Sequence, residues 1–322
     1  MTPEPTPTNP RLELQVALAE ADAMAPPEHL RRRVLQAAQE HRPSRRAPTV
    51  AEAISPLEGY RRTVDVFGSL LDELSPEEWA RPALRDLDVQ GLVGHLIGVE
   101  HDFQASLRSE AAVPDASAPP RSDDHVGSTD ATARAQAGRP AQATRRDWVE
   151  VSADSIAAVA GQPEAVLEGP VTLHGLTLSL EATLVVRAFE LWTHEEDIRR
   201  ATDRPLVAPD AARLGLMTGL ALPLLEAGMA RAGRSRPGRR AKLVLTGPGG
   251  RTWETTFGAG PGAGGGSGSA NGGADVRIVV DAVSFCRVVA DRLPPGDCGS
   301  LVTGDEALAR DILVGAAALA LD

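Results

Sequence analysis

One segment of the 322-residue chain has the pattern of a helix that is buried on several sides: Glu181-Ala-Thr-Leu-Val-Val-Arg-Ala-Phe-Glu-Leu-Trp-Thr-His-Glu-Glu-Asp-Ile-Arg199. With successive residues about 100° apart, its apolar side chains spread over most of the helix circumference. A helix on the surface of a globular protein would confine them to one face. We therefore expect this helix, predicted over residues 180–200, to lie inside the fold.

Five polar residues of the same segment share one narrow face, which we call the polar seam: Thr183, Arg187, Glu190, His194 and Asp197. They recur at steps of four, three, four and three residues, which places them in a stripe about 80° wide. Burial of such groups costs free energy unless each is paired or coordinates an ion. The polar seam is therefore the first place in the chain to look for a functional site.

Glu190 and His194 lie one helical turn apart, so a carboxylate oxygen and an imidazole nitrogen can reach the same metal ion. The alternative is an ordinary pair on a helix surface, which is worth roughly a few tenths of a kcal/mol. The apolar surroundings favour the metal, because a buried carboxylate without a partner is costly.

A third ligand would come from another histidine. His95 lies on the flank of the apolar face of a helix predicted over residues 89–107, next to Gly91, Gly94 and Gly98. Glycines weaken a helix, so their presence here indicates that a neighbouring element approaches closely.

The remaining histidines leave two alternatives to His95 as the third ligand, His101 and His174. The other three lie in a predicted tail or a predicted loop, away from the helices: His29, His41 and His125. The alternative to a metal-binding role for His95 is that of a hydrogen-bonded histidine at the edge of the core.

The hydrophobic pattern predicts a mainly α protein, an antiparallel four-helix bundle or a close variant followed by a small α+β domain. Apolar spacing predicts bundle helices over residues 51–74, 89–107, 141–160, 180–200 and 209–230, with a long surface loop over residues 109–138. Alternating residues then predict a hairpin over residues 242–246 and 252–257, a strand over 275–280, and helices over 282–293 and 305–321.

These patterns divide the chain into three parts. Residues 1–50 have too little apolar surface to fold alone, so we expect a flexible N-terminal extension. Residues 51–230 form the bundle and residues 241–322 the C-terminal domain, which we expect to close over the site. The basic linker between them supplies arginines that could attract an anionic substrate or could simply be solvated: Arg231, Arg234, Arg236, Arg239 and Arg240.

Composition argues against several classes of protein. The net charge of -11 repels nucleic acid and anionic membrane surfaces. The longest apolar run, residues 312–321, is far shorter than the roughly 20 residues that span a bilayer, and the N-terminus has no signal-peptide pattern. The two cysteines, Cys286 and Cys298, form no redox motif. We expect a cytoplasmic monomer that binds neither nucleic acid nor membrane.

A glycine-rich string, Gly258-Ala-Gly-Pro-Gly-Ala263, satisfies the dinucleotide-binding pattern G-x-G-x-x-G/A. That pattern needs a helix directly after it to hold the pyrophosphate, and residues 264–273 are mostly glycine and serine. The chain also contains no P-loop motif and no G-x-S-x-G. The sequence therefore favours neither a nucleotide-binding enzyme nor a serine hydrolase.

Two stretches together resemble the mycothiol-dependent maleylpyruvate isomerase family of actinobacteria: Asp88-Val-Gln-Gly-Leu-Val-Gly-His95-Leu, and Val186-Arg-Ala-Phe-Glu-Leu-Trp-Thr-His-Glu-Glu-Asp-Ile-Arg199 with Gly175-Leu-Thr-Leu before it. The resemblance covers about residues 52–322, and it is more specific for the fold and the metal site than for the substrate. It implies a DinB-like metal-binding helical bundle followed by a small C-terminal domain.

The resemblance also implies that His95, Glu190 and His194 are the metal ligands. Two imidazoles and a carboxylate that leave coordination positions open are typical of catalytic zinc, and Fe(II) or Ni(II) would also accept them. Arg187 could then orient Glu190 or hold a substrate carboxylate, while Asp197 could hydrogen-bond the outer nitrogen of His194.

Mycothiol as a thiol cosubstrate, with a small anionic or electrophilic substrate, follows from the same resemblance. In the family reaction the thiolate adds to the cis double bond of an unsaturated diacid, rotation follows, and elimination gives the trans alkene. Two other functions stay open: a mycothiol S-transferase acting on other electrophiles, and a non-enzymatic metal-binding regulatory module. Thiol-dependent turnover separates the enzymes from the module, and the product separates the two enzymes.

Deletion of residues 1–48 is expected to leave the melting temperature unchanged, because these residues carry little apolar surface and the bundle pattern starts only near residue 51. Thermal denaturation followed by circular dichroism compares the deletion variant with the full chain. A fall of many degrees would show instead that the extension packs on the bundle.

Overall fold

The structure, a computed structural model, describes residues 53–110, 125–258 and 273–320, so the predicted N-terminal extension lies outside it. The helices before residue 202 are α1 Pro56–Glu73, α2 Val89–Glu110, α3 His125–Gln136, α4 Ala141–Val159, the short α5 Glu164–Leu167 and α6 Leu180–Ala201. They confirm the four helices predicted in this part of the chain. None of the helices in the described ranges is long and apolar enough to cross a bilayer.

Local sequence sets where these helices begin. Ser55 caps α1 by accepting a hydrogen bond from the backbone N–H of Glu58 at 3.1 Å, and Pro56 occupies the first helical position. Ser179 caps α6 in the same way, accepting from the N–H of Ala182 at 3.2 Å. These two caps therefore fix the residue at which each helix begins.

Two short antiparallel hairpins lie between the helices, β1 Pro82–Leu84 with β2 Leu87–Asp88 and β3 Pro170–Leu173 with β4 Leu176–Ser179. The second turns through His174 and Gly175, whose φ angles are 49° and 76°. Two successive residues in the left-handed region are typical of a type I′ turn. Since β4 runs directly into α6, this hairpin anchors the start of that helix. Neither hairpin is among the predicted elements.

The prediction of a surface loop over residues 109–138 is wrong for residues 125–136, where the structure has α3, and residues 111–124 lie outside the described residues. α3 packs closely on α2: a Cβ atom at Gly98 would lie 2.9 Å from the Cα of Thr129, and one at Gly94 would lie 2.9 Å from the Cα of Ala133. The prediction that these two glycines admit a close neighbour is thus confirmed. The described side chains that α3 buries belong to Thr129, Ala133 and Gln136, so this helix lacks the periodic run of large apolar side chains that signals a helix.

The C-terminal part follows α7 Ala211–Arg231 and is a sheet packed with two helices of its own. Its strands are β5 Arg240–Thr246, β6 Thr252–Thr256, β7 Val276–Asp281 and β8 Leu301–Gly304, and its helices are α8 Ala282–Val289 and α9 Glu306–Ala317. The strand order is β6-β5-β7-β8, with β5 parallel to β7 and both outer pairs antiparallel. The predicted fold class, a mainly α bundle followed by a small α+β part, is confirmed; β8 has no predicted counterpart.

α7 joins two hydrophobic clusters. Leu214 and Met217 near its start belong to the cluster inside the bundle, whereas Leu225 and Met229 near its end belong to the cluster under the sheet. The described residues all belong to one compact unit. The bundle and the C-terminal part are therefore connected by a helix that contributes to both cores.

Gly98→Ala is expected to lower the free energy of unfolding by about 1–3 kcal/mol, because the new methyl group would meet the backbone of α3. Gly215→Ala on α7 is the matched control, since a Cβ atom there meets nothing within 4 Å. The control is expected to be neutral or to stabilise by up to ~1 kcal/mol through helix propensity. Denaturant titration measures both, and equal stabilities would contradict the close packing of α3 on α2.

Candidate metal centre

His95 of α2 faces Glu190 and His194 of α6 inside the bundle. One possible ligand atom from each residue lies within 4.8 Å of the other two. The His95 Nε2 and Glu190 Oε1 atoms are 3.9 Å apart, and the two imidazole centroids are 5.9 Å apart with an angle of 79° between the ring planes. The fold thus brings together the three residues that the sequence analysis selected as ligands.

His194 offers one nitrogen to this cluster and uses the other to hold its orientation. Its side chain is 1% exposed, and its Nδ1 donates to Oδ2 of Asp197 over 3.1 Å. Its buried Nε2 has no hydrogen-bond partner among the described residues. Because Nδ1 carries the proton, Nε2 has a free lone pair, and a buried acceptor without a partner costs free energy. The residues present therefore fit a bound metal ion.

Asp197 is held in place from the C-terminal part of the chain. Arg292, which follows α8, donates to both carboxylate oxygens at 2.9 Å, and Arg200 adds a bond of 3.3 Å from α6. Burial raises the pKa of Asp197, but the hydrogen bonds from His194 and Arg292 outweigh this and hold the pKa below its usual value. The carboxylate stays charged and fixes the tautomer and orientation of His194.

A second pair of charges connects the same two regions. Arg287 of α8 donates to both carboxylate oxygens of Glu196, with a shortest distance of 2.6 Å. Glu196 is the neighbour of Asp197 on α6, and both carboxylates are buried. Two arginines of the C-terminal part thus pair with adjacent carboxylates directly behind the candidate ligand His194.

A chain of buried charges orients Glu190. Arg187, which has no exposed surface, donates from Nη1 to Glu190 and from Nη2 to Oε1 of Glu100 at 2.6 Å. Tyr60 of α1 donates its hydroxyl to the same oxygen of Glu100, also at 2.6 Å. We call Tyr60, Glu100, Arg187 and Glu190 the buried charge chain. It ties α1, α2 and α6 to one candidate ligand.

The groups of the buried charge chain stabilise one another. Burial alone would lower the pKa of Arg187, but Glu100 and Glu190 outweigh it and raise the pKa. Burial alone would raise the pKa of Glu190, but Arg187 and the nearby histidines hold it below its usual value. Burial, with the Glu100 carboxylate, raises the pKa of Tyr60, which therefore stays a donor. Arg187 is enclosed with both of its Nη atoms engaged, which favours orienting Glu190 over holding a substrate carboxylate.

Glu100 is a residue of this site that the sequence analysis missed. On α2 it follows Leu96 by four residues and precedes Phe103 by three, so it lies on the apolar face of the helix. A carboxylate at such a position needs a partner, and this was the available signal. The partner, Arg187, lies 87 residues further along the chain, where no local pattern points to it.

A cavity of about 240 Å³ lies beside the three candidate ligands, which form part of its lining. Its other walls come mainly from apolar side chains of β4, α6 and α7. Residues of the C-terminal part complete it: Val289, Ala290, Ala318, Leu319 and Ala320. The C-terminal part thus forms one wall of the cavity next to the candidate metal centre.

Neither of the other two histidines whose side chains the structure describes joins the three clustered ligands. His174, in the β3–β4 turn, lines the same cavity. His101 is exposed on α2. The described residues do not include His29, His41 or the side chain of His125.

Most of the linker arginines are engaged within the C-terminal part. Three of them contact carboxylates there: Arg234 and Arg236 contact Asp311, and Arg239 contacts Asp275 and Asp305. Arg231, at the end of α7, instead lines the cavity. Because the carboxylates neutralise their partners, the positive charge that reaches the cavity is that of Arg231 and not of a broad basic patch.

The helical part of the chain matches a family of known proteins. Residues 60–199, which include all three candidate ligands, match the family model described as "Mycothiol maleylpyruvate isomerase N-terminal domain". The chain is similar to the crystal structure of the mycothiol-dependent maleylpyruvate isomerase, with a TM-score of 0.48, 16% sequence identity, and 77% of this chain and 91% of that chain covered. A histidine-to-alanine mutant of that isomerase gives a TM-score of 0.47 with the same identity and coverage. No curated protein sequence matches the chain.

Glu100→Ala is expected to lower the free energy of unfolding by about 3–5 kcal/mol, because it removes one of the two carboxylates that flank the buried Arg187. Glu150→Ala, at an exposed position of α4, is the control and is expected to change stability by less than about 0.5 kcal/mol. Denaturant titration measures both variants. A loss no larger than that of the control would show that the buried charge chain contributes little to stability.

Proposed function

We propose that this chain is a metal-dependent enzyme that uses mycothiol, because residues 60–199 match the family model of mycothiol maleylpyruvate isomerase N-terminal domains. In this proposal His95, Glu190 and His194 hold one divalent ion, and mycothiol attacks a small electrophilic substrate as a thiolate. The observation that carries it is the buried Nε2 of His194, which has no hydrogen-bond partner among the described residues and lies beside the other two ligands.

Interpretations of these residues that involve no metal agree less well with their burial and hydrogen bonding. A histidine of the core would have its ring nitrogens hydrogen-bonded, and an ordinary helix pair would lie on the surface. The side chains of His194 and Glu190 are instead 1% and 19% exposed. We propose zinc, because two imidazoles and one carboxylate leave positions open for substrate; Fe(II) and Ni(II) are the alternatives.

The nucleophilic sulfur must come from outside the chain. Neither of its two cysteines lines the cavity. Cys286 is fully buried, and burial raises the pKa of its thiol, while the buried Cys298 donates its thiol to the carbonyl of Pro295. A divalent metal in the site would lower the pKa of a bound thiol and so supply a thiolate at neutral pH. Mycothiol, the thiol named by the matching family, is the proposed cosubstrate.

The chain's own side chains position this chemistry. Asp197 keeps the proton on Nδ1 of His194, which leaves Nε2 for the metal. Arg187 holds one oxygen of Glu190 and leaves the other facing His95. The walls beside the candidate ligands are mainly apolar, so a thiolate bound there would be poorly solvated and therefore reactive.

Two reactions of the same nucleophile are consistent with this site. If a thiolate adds to the cis double bond of an unsaturated diacid, rotation and loss of the thiolate give the trans isomer and return the thiol. If the acceptor keeps the new C–S bond, the protein is a mycothiol S-transferase. The apolar walls of the cavity favour the second reaction, because two buried carboxylates would find few partners there. The third alternative is a regulatory module that binds metal without turnover.

His95→Ala, Glu190→Ala and His194→Ala are each expected to lose the bound metal, because each removes a ligand. Asp197→Asn is the control: it keeps all three ligands, so it should retain metal with an affinity lowered about 10–100-fold. Elemental analysis of the purified variants gives the stoichiometry, and competition with a chelator gives the affinity. Stoichiometric metal in Glu190→Ala would contradict the ligand assignment.

The same preparations test for turnover with mycothiol. The unmodified protein is expected to consume a cis-unsaturated diacid or a neutral electrophile only when both metal and mycothiol are present. Mass spectrometry separates an isomerised acid with free thiol from a thioether adduct. A metal-loaded protein that turns over neither substrate would favour the regulatory module over both enzymes.

A further inference from the structure

One face of α7 forms a long wall of the cavity. Its lining residues recur at steps of three, four, three and four: Met217, Leu220, Leu224, Ala227 and Arg231. At 1.5 Å per residue, this face runs for roughly 21 Å along the helix. Four apolar side chains are thus followed by one cation in the last turn of the helix.

The facing walls are apolar as well. They are formed by Leu176 and Leu178 of β4 and by Val186 and Phe189 of α6. Apart from the three candidate ligands, the polar side chains along the cavity belong to His174, Thr193 and Arg231. The hydroxyl of Thr193 donates to the backbone carbonyl of Phe189. A molecule in this cavity is therefore surrounded mainly by hydrocarbon between the candidate metal centre and Arg231.

Arg231 is positioned to bind an anion in this cavity. Its Nη1 donates to the carbonyl of Ala320 at 3.3 Å, and it forms no ion pair with the described residues, whereas Arg234 and Arg236 both contact Asp311. A guanidinium has five N–H donors arranged in a planar fork that matches a carboxylate. One bond to a carbonyl leaves most of these donors for a ligand.

Building on the proposed function, we infer that the molecule that accepts the thiol is an electrophile with an apolar chain or ring and no more than one carboxylate, which pairs with Arg231. The apolar walls stabilise the body of such a molecule by removing it from water. In the proposed reaction the thiol occupies the metal, and Arg187 is enclosed and bonded to Glu100 and Glu190. A second carboxylate would then be buried without a cation, which is costly.

The reaction class that follows is addition of a thiol across an activated double bond, as in an enone or an unsaturated ester. A C–S bond forms at the β-carbon while the electron pair of the C=C bond moves toward the carbonyl oxygen. The proton released by the thiol returns to the α-carbon. All atoms of both reactants are present in the thioether, so no oxidant, reductant or leaving group is needed.

Binding of unreactive alkyl sulfonates tests this inference in the absence of thiol. Sulfonates are poor ligands for divalent metals, so the result does not depend on the metal. By calorimetry with the full-length protein, octane-1-sulfonate is expected to bind about 15-fold more tightly than hexane-1-sulfonate, at roughly 0.8 kcal/mol for each buried methylene. Hexane-1,6-disulfonate is expected to bind about tenfold more weakly than hexane-1-sulfonate, because its second charge has no partner.

Two matched pairs of variants locate the ligand. Ala227 and Ala230 are both exposed on α7, but only Ala227 lines the cavity. Ala227→Trp should lower the affinity for octane-1-sulfonate about tenfold or more by filling the cavity, whereas Ala230→Trp should leave that affinity unchanged. Arg231→Gln should lower the affinity for octane-1-sulfonate about tenfold, because it removes the charged pair. The same variant should leave the affinity for octan-1-ol unchanged, since that molecule carries no charge. Arg234→Gln is the control for loss of a nearby arginine, and it should leave the affinity for octane-1-sulfonate unchanged.

Equal affinities for the monosulfonate and the disulfonate, or no gain from the two added methylenes, would overturn the inference. So would unchanged binding in Ala227→Trp and Arg231→Gln. Since the calorimetry contains no thiol and does not depend on the metal, failure of the metal and turnover assays would count against the proposed function and not against the shape and charge of this cavity.

Discussion

The guanidinium of Arg187 has no access to solvent, and it stays charged because carboxylates on two helices flank it. Taking a charge out of water costs several kcal/mol, and its partners offset this only when they are well placed. Glu100 must therefore lie beside α6, and the hydroxyl of Tyr60 must lie beside Glu100. This requirement constrains how α1, α2 and α6 pack, and it also holds Glu190 facing the candidate metal centre.

At the other end of the polar seam, a buried charge likewise needs a partner, and here the partner comes from the C-terminal part. Asp197 is buried behind His194 and is charged, and its bidentate partner Arg292 is 95 residues away in the sequence. Arg287 pairs with Glu196 in the same way. The C-terminal part therefore helps to orient a candidate ligand without supplying one, and α7 joins its core to that of the bundle.

Two groups of residues with different chemistry line the cavity. Nitrogen and oxygen donors cluster where a metal and a thiol would meet, and their orientation is fixed by residues that do not face the ligand. In the proposed function, the apolar walls and Arg231 would select the molecule that receives the sulfur. The walls that come from β4, α7 and the C-terminal part can change without disturbing the donors, because the donors lie on α2 and α6.

The sequence by itself determined features that a few helical turns contain. The spacing of the polar seam predicted α6 and placed Glu190 beside His194, and the glycines of α2 indicated a close neighbour. Its motifs also indicated a resemblance to the family whose model residues 60–199 match. Only the tertiary structure decided that α3 is that neighbour and that Glu100 and Arg292 complete the site. It also decided that Arg231 is the one linker arginine that lines the cavity. Periodicity in the sequence indicates which face of an element is buried. A pair formed by residues far apart in the chain produces no local pattern, so it becomes visible only when the elements are packed together.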